Sequence, residues 1–202
     1  LLIAQSEGLG IDTVSGGELY TALSAGIDPR KIELHGNSKT EEEIRMAVKN
    51  GIYCIIADGF DELELIERIL KEENRKINVS LRLRPNIDVH AHKAVQTARM
   101  DCKFGFGISD NQAIRAAEIV SKSEHMVLHG IHCHIGSQIF DEKPFILLCE
   151  HLVSFACEVR AKCGITLKEF NCGGGYGVRY TDADTPKTFD AFIKIISDTL
   201  KD

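Results

Sequence analysis

No apolar run in this sequence approaches the about 20 residues that a membrane-spanning helix needs. The longest, such as Tyr53-Cys-Ile-Ile-Ala57, are far shorter, and no charged-then-apolar leader precedes them. A basic stripe or tail is missing too: 24 Lys and Arg stand against 30 Asp and Glu, a formal charge of −6, with both signs interleaved. Neither nucleic acid nor an anionic membrane surface is therefore an expected partner. The seven cysteines are odd in number and contain no C-x-x-C spacing. That argues against a disulfide framework or a zinc ribbon and for reduced thiols, hence a cytoplasmic setting. No linker or low-complexity stretch divides the chain.

What is present is enough apolar material for one sizeable core, 44% of 202 residues. The pattern alternates β-rich runs with amphipathic helices. Candidate strands are Ile11 to Val14, Ile32 to His35, Tyr53 to Ala57, Ile77 to Leu83, Met126 to His134 and Leu167 to Cys172. Three capping boxes announce helices at Ser15-Gly-Gly-Glu18, Thr40-Glu-Glu-Glu43 and Ser109-Asp-Asn-Gln112. The longest helix is expected from Pro144 to Gly164, its apolar side carrying Phe145, Leu148, Cys149, Leu152, Ala156, Cys157 and Val159. About six βα units in succession imply parallel strands, in a doubly wound sheet or a (β/α)8 barrel, and a full barrel takes about 250 residues. The chain opens at Leu1 inside a helical pattern running to Gly8 and closes at Asp202 as another helix finishes. Residues 1–202 are thus expected to form a single barrel domain truncated at both ends.

In a parallel barrel, chemistry collects at the C-terminal ends of strands. Asn171-Cys-Gly-Gly-Gly-Tyr-Gly177 follows a strand, and its glycines can turn N–H groups toward a phosphate. It is neither a Walker loop nor a dinucleotide fingerprint, since Val178 takes the last required glycine position. Gly130-Ile-His-Cys-His-Ile-Gly-Ser-Gln138 places His132 and His134 on one side of a strand. Either the pair ligates a metal, as in a barrel hydrolase, or one imidazole faces an aromatic cofactor beside Gly136 and Ser137 while His132 is a satisfied core residue. Matching His, Asp or Glu at later strand ends would favour the metal, but the later strand ends in Cys172 and glycines, which favours the cofactor. Arg82 and Arg84 share a strand face, and one of them is expected to meet an anion or a carboxylate. His90 and His92 sit in a long insertion from Arg84 to Gly107 and read as a solvated loop.

Taken in order, Asp12-Thr-Val-Ser-Gly-Gly-Glu-Leu19, His35-Gly-Asn-Ser-Lys39, Leu81-Arg-Leu-Arg-Pro-Asn-Ile-Asp88, Lys103-Phe-Gly105, His132-Cys-His-Ile-Gly-Ser-Gln-Ile139 and Gly173-Gly-Gly-Tyr-Gly177 span nearly the whole chain. Their wording resembles the diaminopimelate branch of the fold-type III pyridoxal-phosphate-dependent decarboxylases more closely than the ornithine and arginine branches. The resemblance implies a (β/α)8 barrel with pyridoxal 5'-phosphate as cofactor and a basic amino acid as substrate, in a homodimer. It implies that His134 stacks on the cofactor ring, while Ser137 and the backbone of Gly173, Gly174 and Gly175 hold its phosphate. Arg82 aligns with an active-site arginine of the family, and Asp12 and Glu18 with acids near the cofactor-binding lysine. That lysine is expected upstream of Leu1, and a Glu-Pro-Gly-Arg element and a C-terminal β-domain downstream of Asp202. Residues 1–202 assayed alone are accordingly expected not to decarboxylate. Thr97-Ala98, Cys102 and Tyr176 depart from the family's usual residues. Two rivals to this reading are a metal-dependent hydrolase using His132 and His134 and a non-catalytic homologue.

Overall fold

The structure, a computed structural model, describes residues 1–85 and 104–201. His90, His92, Thr97, Ala98, Cys102 and Lys103 lie outside those residues. Along the chain run α1 (Leu2–Ser6), β1 (Ile11–Thr13), α2 (Gly16–Ser24), β2 (Ile32–Leu34), α3 (Glu41–Asn50), β3 (Cys54–Ala57), α4 (Phe60–Glu73) and β4 (Ile77–Arg84). There follow β5 (Phe106–Gly107), α5 (Gln112–Lys122), β6 (Met126–Cys133), α6 (Lys143–Cys163), β7 (Glu169–Asn171) and α7 (Phe189–Lys201). All six expected strands form, and they pair in parallel in the order β1-β2-β3-β4-β6-β7, with the short β5 added beside the end of β4.

This sheet is curled into a partial barrel. Asn171 on β7 donates from Nδ2 to Glu33 Oε2 on β2 at 3.3 Å, although three strands separate them in the sheet order. Tyr53, at the start of β3, donates its hydroxyl to Glu169 Oε2 on β7 at 2.8 Å. The convex side carries the apolar core: Leu34, Ile55, Ala57, Val79, Leu81, Leu83, Ile131 and Cys133 pack against buried residues of the crossover helices, such as Ile66, Ala117 and Leu152. Each fully buried aliphatic side chain of this kind contributes about 1.5–3 kcal/mol. The concave side is polar, with Asp12, Glu33, Ser80, Arg82 and His132 at alternate strand positions.

A slip in register decides which face His132 takes. Val79 pairs with Leu128, but Ser80 pairs with Gly130, so one extra residue sits in β6 at His129. Met126 and Leu128 pack outward before the slip, Ile131 and Cys133 after it. Without that extra residue the parity of the strand would send His132 into the helices; with it, His132 points into the concavity.

Of the three expected capping boxes one forms in full and one by half. Thr40 Oγ1 accepts from the N–H of Glu43, whose carboxylate accepts from the N–H of Thr40 at 2.8 Å. Ser15 Oγ accepts from the Glu18 N–H, but the Glu18 carboxylate takes the N–H of Val14, one residue earlier than the motif specifies. The box at Ser109 does not form. Helix α5 starts at Gln112, its cap residue Asn111 sits at φ 62°, and Asp110 Oδ1 accepts from the Gln112 N–H. Helix α6 ends on a left-handed Gly164 as expected, with Cys149 buried. Cys157 is exposed instead of packed, because eight residues of α-helix leave it about 80° around the axis from Cys149. The opening helix is shorter than the pattern suggests, and none of its residues is buried.

Capping at these two sites separates in a stability measurement. Thr40→Ala should lower the unfolding free energy by about 1 kcal/mol, while Ser109→Ala should stay within about 0.5 kcal/mol of wild type. Urea transitions read the difference; equal losses would mean that Ser109 caps α5 after all.

Candidate functional site

The C-terminal ends of the strands share one rim, and the two segments of greatest chemical interest are bound to each other there. Beyond β6, residues 134–139 run beside the turn that follows β7. Ile139 N–H donates to Gly175 O at 2.9 Å, and Gly177 N–H donates to Ile139 O at 2.9 Å. The Gln138 side chain completes the join, donating to Val178 O at 3.1 Å and accepting from Val178 N–H at 2.9 Å.

The glycines of that turn are required by geometry. Gly173 sits at φ +66° and Gly175 at φ +95°. A Cβ on Gly175 would lie 1.9 Å from Gly136 O, and one on Gly173 would lie 2.5 Å from Cys133 O and 3.1 Å from His134 Nδ1. Around Gly174 there is open space within 4 Å. The Gly173 N–H is already donated to Asn171 Oδ1 at 3.0 Å. No acceptor among the described residues takes the N–H of Gly174 or Gly175. The turn thus lies against the exposed imidazole of His134 with two backbone donors unspent among the described residues, and this set of groups fits a phosphorylated ring. Ser137 is exposed on the loop joined to it. Tyr176, a departure from the family's usual residue, stacks on Phe145 with ring centroids 5.0 Å apart and packs against Phe192 at 5.1 Å.

Arg82 stands on the concave face in register with His132. Its guanidinium meets Asp58 Oδ1 at 3.3 Å and lies 4.8 Å from the centre of the Phe104 ring. Arg84, which shares its face, pairs with Asp110 at 3.2 Å. Desolvation, and then the Arg82 charge, hold the His134 imidazole below its ordinary pKa, so it is neutral at neutral pH. His132 is buried, and both its ring nitrogens lie 3.2–3.3 Å from His35 Nε2. Burial, the neighbouring His35, Arg82 and His134 push it down to about 2. His35 falls to about 4 through burial and through the charges of Arg82 and Lys39. Asp12 is pushed up to about 6 by desolvation and by Glu18, against the pull of Lys39 and Arg82. The Glu18 carboxylate accepts the N–H of Val14 at 2.8 Å, and its charge is felt on Asp12. Among the described residues no three His, Cys, Asp or Glu side chains are grouped to hold a metal ion, so the metal reading of His132 and His134 finds no third ligand there.

Sequence reasoning passed over His35, Lys39 and Asp58. His35 and Asp58 lie just past a strand end, the position that marks function in this architecture, and Lys39 lies in the loop between β2 and α3, in the same motif as His35. It also passed over an acid pair deeper in the concavity. Glu33 Oε1 is buried without a donor among the described residues, and Glu169 lies beside it. Burial, and then the Glu169 charge, push Glu33 up to about 8, so a proton held on Glu33 and shared with Glu169 satisfies both.

The chain matches the family model described as "Pyridoxal-dependent decarboxylase, pyridoxal binding domain" over residues 1–202. It is 44% identical over 200 residues to the diaminopimelate decarboxylase of Bacillus subtilis (strain 168), covering 99% of this chain and 46% of that protein. Among solved structures, the diaminopimelate decarboxylase of M. jannaschii in co-complex with L-lysine superposes with a TM-score of 0.89 at 34% identity, over 98% of this chain and 45% of that one. The Helicobacter pylori diaminopimelate decarboxylase complexed with L-lysine gives a TM-score of 0.87 at 33% identity, over 98% of this chain and 50% of that one. The fold and the site thus define a pyridoxal-binding barrel. The chain belongs to the pyridoxal-dependent decarboxylase family, and it spans about half the length of the relatives it matches.

The Glu33 proton makes a pH prediction. Between its ordinary 4.5 and about 8, the folded chain holds a proton that the unfolded chain has released, so this contribution is full below pH 4.5 and is lost as pH rises through 8. Glu33→Gln cannot ionise and should flatten that part of the stability curve. A slope as steep as wild type would contradict the shared proton.

Proposed function

We propose that this chain is the cofactor-binding part of an enzyme that removes a carboxylate from meso-diaminopimelate to give L-lysine. The observation that carries the reading is the junction of the His134 loop with the glycine turn, which sets the imidazole beside a turn in which the N–H groups of Gly174 and Gly175 have no acceptor among the described residues. The relatives that the chain matches are diaminopimelate decarboxylases, and two of the matched structures carry L-lysine.

In this reading His134 covers the pyridine ring, and Ser137 with the backbone of Gly173 to Gly175 holds the phosphate. Because Gly173 already donates to Asn171, the donors at the phosphate are Gly174 and Gly175. Pyridoxal phosphate supplies the electron sink for the pair left behind as the carboxylate departs. The protein's part is orientation and charge. Arg82, anchored by Asp58, keeps a fixed positive charge at the rim, which favours an anionic group of substrate or cofactor and adds to the desolvation that lowers the imidazole pKa values. Asp12 and Glu18 set a negative counterweight on the β1 side. A homodimer and a basic amino-acid substrate belong to the same proposal. Among the described residues no helix is long and apolar enough to cross a membrane.

The natural protein carrying this sequence, loaded with pyridoxal phosphate, should release carbon dioxide and L-lysine from meso-diaminopimelate and leave ornithine and arginine untouched. His134→Ala should lower kcat/KM by roughly 100-fold, the scale of a misplaced reacting group. Turnover of ornithine without turnover of diaminopimelate would overturn the substrate assignment. A protein that takes up no cofactor would overturn the site.

A further inference from the structure

Lys39 is buried, with 2% of its side chain exposed. Its ammonium donates to Gly36 O at 2.6 Å, to Ile56 O at 2.7 Å and to Glu62 Oε1 at 2.6 Å. An ammonium has three N–H groups and no acceptor, so these three partners use it completely. Nothing remains for a substrate, and Lys39 cannot be the amine that captures a carbonyl cofactor.

The three partners lie in three different segments, and each adjoins the rim. Gly36 follows β2, and its N–H donates to His35 Nδ1 at 2.6 Å. That bond makes Nδ1 the acceptor and leaves the ring proton of the neutral imidazole on Nε2, the atom facing His132 at 3.2–3.3 Å. Ile56 lies in β3 two residues before Asp58, whose carboxylate holds Arg82. Glu62 is in the first turn of α4, close enough to Asp58 for its charge to be felt. A surface ion pair would not need two main-chain carbonyls, nor would it sit between two strand ends.

We propose that Lys39 is a positioning residue: by pinning the ends of β2 and β3 to the start of α4, it aims His35 and the Asp58–Arg82 pair at the cofactor face beside His134. The proposal rests on the function given above and names a residue of that site which touches neither substrate nor cofactor. It differs from a purely structural role in what it controls, the direction of two side chains more than the stability of the fold.

The test uses the natural protein with Lys39→Met combined with Glu62→Gln, so that no buried carboxylate is left unpaired. Two quantities are read: kcat and KM of the folded, cofactor-loaded enzyme, and the ring-nitrogen signals of His35 in the cofactor-free protein by 15N NMR. The proposal expects a fall in kcat of roughly 100-fold, the cost of about 1 Å of misplacement, with KM little changed and the Nε2–H pattern of His35 lost. Wild-type kcat with unchanged His35 signals overturns it. Glu62→Gln alone keeps both carbonyl bonds and guards against a double variant that does not fold: it should retain most of its kcat and the His35 pattern. If Glu62→Gln loses as much as the double variant is expected to lose, the charge pair and not the pinning is what matters, and the proposal fails. If the wild type neither binds the cofactor nor decarboxylates, the functional reading fails, while the His35 signals of the variants still decide whether Lys39 sets the rim.

Discussion

The site depends on one close approach: the backbone after β7 lies so near the backbone after β6 that only glycine fits between them. Parallel pairing of β6 with β7 continues past the strands, through the bonds between Ile139, Gly175 and Gly177, and converts two separate loops into one wall. The approach goes with positive φ at Gly173 and Gly175, leaves open space at Gly174, and sets His134 beside the turn.

Electrostatics follow from the same placement. Two cations, Arg82 and Lys39, stand near the strand ends, and each is held by a carboxylate from the β3–α4 segment, Asp58 or Glu62. Desolvation first, then the charge of Arg82 and, at His35 alone, that of Lys39, hold His35, His132 and His134 below the ordinary imidazole pKa. Toward the other end of the concavity the sign reverses, with Asp12, Glu33 and Glu169 gathered and Glu33 retaining a proton. A charge gradient along the concave face suits a ligand with an anionic end at the rim.

Much of this was legible in the sequence because the signals are local. Alternation of β-branched runs with capped helices placed all six main strands to within about two residues, the usual margin at element ends. The glycine turn and the His-x-His segment were visible as motifs at strand ends. What escaped was set by contacts between distant segments. The extra residue at His129 is invisible to hydrophobic period, since it is the pairing of Ser80 with Gly130 that creates the slip and turns His132 inward. Ser109 has the spacing of a cap, but Asn111 takes a left-handed conformation and Asp110 reaches the helix first. Strand β5 is two residues long and exists through its pairing with Leu83 and Arg84. The role of Lys39 needs three partners from three segments, which no spacing rule encodes.

The central claim is geometric, and a crystal structure of the natural protein with pyridoxal phosphate tests it most directly. The account places the phosphate within hydrogen-bond reach of the Gly174 and Gly175 N–H groups and of Ser137 Oγ, with the His134 imidazole over the ring. A phosphate seated elsewhere on the barrel, or a ring lying away from His134, would contradict it.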